Sequence, residues 1–207
     1  MTSLEMRNDP LFMRNSFTGS GRWDIPVIKK QLIPLDNIRL IAMSETCTDD
    51  IAENKRCGVH CFIDDYRFTS TYNAPDKAIK KLSQYAFLLS PDFSTYADMP
   101  YWRQLESVAH SRWVGAYWQN KGLKVIPTIT WSDARSYGFC FDGVEKGSIV
   151  AIGMVGCKTE KSLFLRGYNA MLEKIEPSAI ICYDTPFPEM DGNLIVVEYC
   201  HSGKKVS

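Results

Sequence analysis

The sequence predicts a single α/β domain built on a mostly parallel sheet with crossover helices, in the form of an incomplete or distorted TIM-barrel-like fold. Three observations predict it. Short, continuous apolar runs recur along the whole body of the chain, as buried parallel strands do. Helical patterns with a period near 3.6 lie between several of these runs. Turn and capping residues bound both kinds of segment. An open doubly wound sheet satisfies the same alternation and is the alternative. A full eight-stranded barrel typically takes about 250 residues, and this chain has 207.

Residues 1–37 read as an extended arm packed on the domain. Pro10, Pro26 and Pro34 punctuate them, while Phe12, Phe17, Trp23, Ile25, Val27 and Ile28 are too apolar for a free tail; Trp23 and Ile25 are expected to be buried. The domain proper is read as 38–200, with a tail at 201–207. Its strands are expected at 38–44, 59–64, 86–90, 124–130, 148–155, 179–183 and 194–199. A helix starts at Pro75, which suits a first helical turn, with Ala78, Ile79 and Leu82 on one face. A longer one starts near Met99-Pro100, carries Trp102, Leu105, Ala109, Trp113 and Ala116 on one stripe, and is capped by Gly122. A third covers about 160–176, with Phe164, Tyr168, Met171, Leu172 and Ile175 inward and Pro177 as the stop. A short helical turn is expected within 133–142.

Charge and cysteine usage narrow the function classes. Lys plus Arg and Asp plus Glu both number 24. A duplex-binding protein draws its affinity from a basic excess, so duplex nucleic acid is not an expected partner. No apolar run reaches the length of a membrane span, and the opening MTSLEMRNDP lacks the apolar core of a secretory signal. The seven cysteines are odd in number and several lie inside apolar runs, which points to reduced thiols and a cytoplasmic protein.

Parallel strands point their carboxyl ends the same way, so the residues just past those ends share one rim in either architecture. Acidic residues recur there. Glu45 follows the first run, Asp64 and Asp65 end or follow the second, and Asp92, Asp133 and Asp184 follow the third, fourth and sixth. The site expected from this pattern has Asp65, Asp92 and Asp133 as acid, base or metal ligands. Tyr96, Arg103, Trp131 and Tyr183 bind the ligand, with Trp131 and Tyr96 stacking on a ring. Arg103 and Arg135 are the expected compensating cations. Mg²⁺ or Mn²⁺ is the cation such a carboxylate set would take; without one, the carboxyls can divide into a neutral acid and an ionised base. For each residue singly, helix capping is the plainer explanation. Asp98 and Asp133 are well placed for it.

Other motifs are weaker. Cys57-Gly58-Val59-His60-Cys61 resembles a zinc half-site, but a structural site needs four ligands and only Cys200-His201 offers a second pair. Gly153-Met154-Val155-Gly156 with Lys158-Thr159 suggests an anion-binding turn, but without P-loop spacing. Three histidines and no G-x-S-x-G motif argue against a Ser-His-Asp triad.

Five phrases carry a resemblance: GRWDIPVIK (21–29), LSPDFSTYADMP (89–100), RWVGAYWQNKGLKVIPTITWSD (112–133), FCFDGVEKGSIVAI (139–152) and LFLRGYNAML (163–172). Over roughly residues 15–190 the chain resembles the domain of unknown function 4417 family, which occurs largely in bacteriophages and mobile elements. The resemblance implies a phage or prophage setting, hence the cytoplasm of a bacterial host, and carries over no catalytic residue. Two readings follow for function. One is a pocket that binds a small molecule, nucleotide-like or sugar-bearing, and hydrolyses it. The other is a non-catalytic protein that sequesters a host small molecule or docks on a host protein.

Overall fold

The computed structural model describes residues 2–198. In chain order the elements are α1 (Ser3–Asn8), α2 (Pro10–Met13), β1 (Gly19–Ser20), β2 (Ile25–Pro26), β3 (Leu40–Ala42), α3 (Ala52–Lys55), β4 (Gly58–His60), α4 (Ser70–Asn73), α5 (Pro75–Leu82), β5 (Phe87–Leu89), α6 (Tyr101–Asn120), β6 (Val125–Ile126), β7 (Ile149–Gly153), α7 (Lys161–Ile175), β8 (Ala179–Tyr183) and β9 (Leu194–Val197). Single 3-10 turns lie at Met43–Glu45, Asp65–Arg67, Ser136–Gly138 and Lys158–Glu160.

The sheet is parallel throughout its main body. β3, β4, β5 and β6 form one four-stranded unit, and β7, β8 and β9 form a three-stranded one. In both units spatial order follows chain order, so there is no reversal of the kind a doubly wound sheet needs. β6 ends at Ile126 because Pro127 has no N–H to give the ladder. Pairing resumes one step on: Ala151 N–H donates to Pro127 O at 2.9 Å and Ile129 N–H donates to Ala151 O at 2.8 Å, around a parallel bridge between Thr128 and Ala151. That bridge joins the two units edge to edge.

Alternate strand residues divide between two faces. Ile41, Val59, Leu88 and Val125 pack outward with Leu82, Val114, Trp113 and Trp118 of α5 and α6. Val150, Ile152, Ile180 and Cys182 pack outward with Phe164, Tyr168 and Met171 of α7. The inner face carries no helix. Its residues Phe87, Leu89, Ile126, Ala151, Ile181 and Val197 form a cluster of their own, joined by Ile33 and Leu35 from the segment before β3. Side chains four strands apart therefore meet: the rings of His60 and Tyr183 are 4.4 Å between centroids. On a flat sheet, strands four steps apart would be separated by about 19 Å at the usual spacing. The sheet is thus curled over its own inner side chains. Among the described residues no pairing joins β9 to β3, so no closed barrel forms.

Arg112 of α6 holds the seam between the two units. Its side chain is 1% exposed. It donates from Nη1 to Thr128 O at 2.7 Å, from Nη2 to Cys140 O at 2.9 Å and from Nε to Asp142 O at 3.1 Å. Three carbonyls thus replace the water that a buried guanidinium gives up. Burial lowers its pKa to about 10, still far above neutrality, so the group is charged.

The segment before β3 lies on this body. Ile25 and Ile28 are buried and Leu11 and Phe17 pack on the α5–α6 cluster. The Arg14 guanidinium stacks 3.8 Å from the Trp113 ring centroid and donates to Tyr72 O at 2.8 Å. The expectation for Trp23 is corrected: it is 40% exposed, lying in the turn between β1 and β2 with Arg22 over its ring. No helix among the described residues is long and apolar enough to cross a membrane. The six described cysteines are free thiols.

Candidate functional site

A cavity of about 750 Å³ opens at the carboxyl ends of the strands. β4 brings the first part of its wall. His60 is the last residue of that strand and faces inward; two residues on, Phe62 faces the same way, as the alternation of an extended chain requires. Gly153 at the end of β7 gives Phe62 its place: a Cβ there would come within 2.7 Å of the Phe62 ring. Tyr183, at the end of β8, stacks on Phe62 at 5.2 Å between centroids. His60, Phe62 and Tyr183 thus form an aromatic wall on the cavity's inner side.

His60 is held as a neutral ring. Its Nδ1 accepts a hydrogen bond from Phe62 N–H at 3.1 Å, which leaves Nε2–H as the ring's donor. Burial lowers its pKa to about 4, so it does not become an imidazolium near neutrality. Nε2 makes no hydrogen bond among the described residues.

Asp64, Asp65 and Asp92 also line the cavity, and the last two carry its chemistry. Asp65 stands in the 3-10 turn after β4 and is fixed by Ser94, whose N–H donates to Oδ2 at 3.1 Å and whose hydroxyl donates to Oδ1 at 2.8 Å. Asp92 lies in the loop after β5. Its carboxyl accepts no hydrogen bond and makes no ion pair among the described residues. It retains some surface toward the cavity, yet dense packing around it pushes its pKa up to about 7; the charge of Asp65 adds to the rise and that of Arg112 opposes it. Asp92 therefore keeps its proton to a much higher pH than an ordinary aspartate, beside a carboxyl held by two donors. Paired carboxyls with different surroundings are the arrangement that separates an acid from a base.

The neighbouring thiols are not activated. Burial and the charge of Asp92 push Cys157 up to about 11, and burial raises Cys61 further. A thiol is a nucleophile only as thiolate, so neither serves at neutral pH.

The remaining expected residues divide. Trp131 lines the cavity and packs against Phe164 at 4.9 Å between centroids. Gly167 of α7 lets it approach: a Cβ there would lie 2.2 Å from the indole. Tyr96 stands at the mouth, 61% exposed, and Tyr183 is in the inner wall. Asp133 does not line the cavity. It accepts from Arg135 Nε at 2.9 Å and from Arg135 N–H at 2.9 Å, closing its own turn, and this pair lowers its pKa. Arg103 is on the outer side of α6, bonded to Glu106 one turn on, and also does not line the cavity. The expected trio of aspartates is a pair. The cation felt by Asp92 is Arg112 and not Arg103 or Arg135, because α6 turns Arg112 inward and leaves Arg103 at the surface.

Among the described residues no group of three His, Cys, Asp or Glu side chains is placed to hold a metal. Cys200 and His201, the one candidate for a second half of the weak zinc motif, lie outside the described residues. The Gly153–Lys158 turn borders a smaller cavity of about 230 Å³ beside the main one, and Lys158 there is paired with Asp184 at 2.9 Å.

Comparison with known proteins places the chain among phage proteins. The family described as "Domain of unknown function (DUF4417)" matches residues 17–200. The chain is 35% identical over 180 residues to the Gene 1 protein of Mycobacterium phage L5, covering 84% of this chain and 77% of that one. It is 33% identical over 178 residues to the Gene 1 protein of Mycobacterium phage D29, covering 84% of this chain and 65% of that one; the match spans less than two thirds of the D29 protein. No solved structure matches.

Proposed function

Since the chain belongs to the domain of unknown function 4417 family, whose description assigns no reaction, we propose from the cavity alone that the protein binds a nucleotide-like or sugar-bearing small molecule and hydrolyses it. One observation carries this reading: Asp92, a carboxyl with no hydrogen-bond partner among the described residues, shares a water-accessible cavity with the fixed carboxylate of Asp65. In the proposed step the Asp92 carboxyl gives its proton to the leaving atom as the scissile bond breaks. Water attacks the other side and loses a proton to Asp65. Product release returns the proton to Asp92 through solvent. Neutral His60 donates from Nε2 to the bound molecule, and Trp131 and Tyr96 cover its ring.

The test is turnover. Purified protein is assayed on nucleotides, nucleosides and chromogenic glycosides, with product release followed by absorbance. Asp92→Asn should lose a factor of about 10² to 10⁴ in kcat, the usual contribution of general acid–base catalysis, while retaining ligand. Activity should also fall as pH rises through about 7, where Asp92 loses its proton. Binding with no turnover in the wild type would favour the sequestering protein over the hydrolase.

A further inference from the structure

The cavity carries an excess of acid. Among the described residues, Asp64, Asp65 and Asp92 line it and Arg67 is the single cation in its lining. Lys158, which lines the adjoining smaller cavity, is already paired with Asp184. Phosphate groups are held by arginines, lysines or several converging N–H groups, and a dianion would meet these carboxylates as a like charge. Sugar hydroxyls have the opposite fit. They donate to carboxylates, accept from a neutral N–H, and present C–H faces to aromatic rings.

The mouth supplies such rings. Tyr66 is 77% and Tyr96 61% exposed, and both line the cavity, on the loops after β4 and β5. Tyr96 is also tied to the carboxyl pair: Ser94 Oγ lies 2.8 Å from Asp65 Oδ1 and 3.2 Å from the Tyr96 hydroxyl. Deeper in, His60 is 3% exposed and lines the cavity, and among the described residues its Nε2–H makes no hydrogen bond. A donor on a cavity wall is available to a ligand's acceptor.

We propose that the cavity takes an uncharged sugar ring at the end of an oligosaccharide, with Tyr66 and Tyr96 as stacking platforms for the rings outside and His60 Nε2–H as donor to a hydroxyl of the ring inside. This rests on the hydrolytic reading above and fixes its substrate class: the leaving atom becomes the glycosidic oxygen, which takes the Asp92 proton while water adds to the anomeric carbon.

The experiment is calorimetric titration of the full chain at pH 6.5. The sugar probes are linear pentasaccharides of glucose, mannose, galactose and N-acetylglucosamine. Adenosine 5′-monophosphate and a ten-residue thymidylate are the charged probes. At least one pentasaccharide should bind more tightly than either charged probe. Tyr66→Ala and Tyr96→Ala should each weaken it by about two- to tenfold, as expected for a lost stacking contact. Both residues are exposed, so the variants should keep the wild-type melting temperature. Tighter binding of either charged probe would overturn the sugar assignment while leaving the cavity a binding site. Saccharide affinity unchanged in both tyrosine variants would overturn it as well. Failure of every probe to bind would overturn this proposal and the hydrolytic reading together.

Discussion

Two ionisable side chains lie in densely packed surroundings about the same sheet, and they are treated oppositely. Arg112 spends its guanidinium on three backbone carbonyls and is 1% exposed. The Asp92 carboxyl accepts no hydrogen bond among the described residues, and packing pushes its pKa up to about 7 against the opposing charge of Arg112. A buried polar group is costly unless it is hydrogen-bonded. The fully satisfied charge is therefore part of the architecture, while the unsatisfied one borders the cavity. The contrast separates a seam from a site without reference to any motif.

The largest effect expected from this contrast is on the seam. Arg112→Met should destabilise the protein by about 3–5 kcal/mol, because removing a buried charge from its partners strands three carbonyls. For a chain of this length that is on the order of 10 °C in melting temperature. A loss below about 1 kcal/mol in thermal or denaturant unfolding would mean that the carbonyls find other donors, and the comparison would break.

Asp92→Asn should act in the other direction, and only at higher pH. The folded protein holds the Asp92 proton more tightly than the unfolded chain does, so wild-type stability falls as pH rises from about 4 to about 7 and the full penalty stands above that. A rise from the ordinary 3.8 to about 7 corresponds to at most about 4 kcal/mol, at about 1.36 kcal/mol per pH unit. The variant should therefore match the wild type near pH 4 and exceed it at pH 8. His60, held near 4, has the reverse linkage: it adds stability that is lost as pH falls from about 6.5 to about 4. Both proteins share that contribution, so it cancels in the difference between their melting curves. A difference independent of pH would show that Asp92 is not perturbed.

Gly167→Ala sharpens the comparison at the cavity wall. The added Cβ would lie 2.2 Å from the Trp131 indole, so Trp131 must move. Overpacking costs about 1–3 kcal/mol, partly offset by about 1 kcal/mol of helix propensity. The melting temperature should fall by a few degrees and tryptophan fluorescence should shift. Asp133→Ala should do least, within about 0.5–1 kcal/mol, since its pair with Arg135 lies at the surface. A loss as large as that of Arg112→Met would place Asp133 in the architecture after all.

Much of the sheet was legible because its strands are buried on both faces and so read as unbroken apolar runs; AIICY at 179–183 matches β8 residue for residue. Other runs overreach. VHCFID at 59–64 is apolar through Phe62, yet the ladder stops at His60, because Phe62 and Ile63 are apolar for the sake of the cavity rather than the sheet. KVIPTIT breaks at Pro127. At the site, the rim was legible from strand polarity alone, and it located Asp65, Asp92, Trp131, Tyr96 and Tyr183. Asp133 lies off the cavity, because an aspartate that closes its own turn and one that faces a cavity look alike after a strand, and sequence cannot separate them. His60 was passed over as half of a zinc motif; its inward parity at a strand end was the available signal. Arg112 had none, because an arginine within a helix reads as surface until the helix is rolled into place.

The match between spatial and chain order in the sheet bears on how the protein is made. Every strand after β3 docks on the one synthesised immediately before it, so edge pairing never waits for a distant segment. Ordering nearby segments closes short loops at little entropic cost. A nascent chain leaving the ribosome can therefore lengthen its sheet unit by unit, each new edge covered by the next. The exception is Arg112, whose carbonyl partners at Thr128, Cys140 and Asp142 all emerge after it. The first half of the molecule must carry that charge unsatisfied until Asp142 has emerged, so the seam closes only after the four-stranded unit is complete.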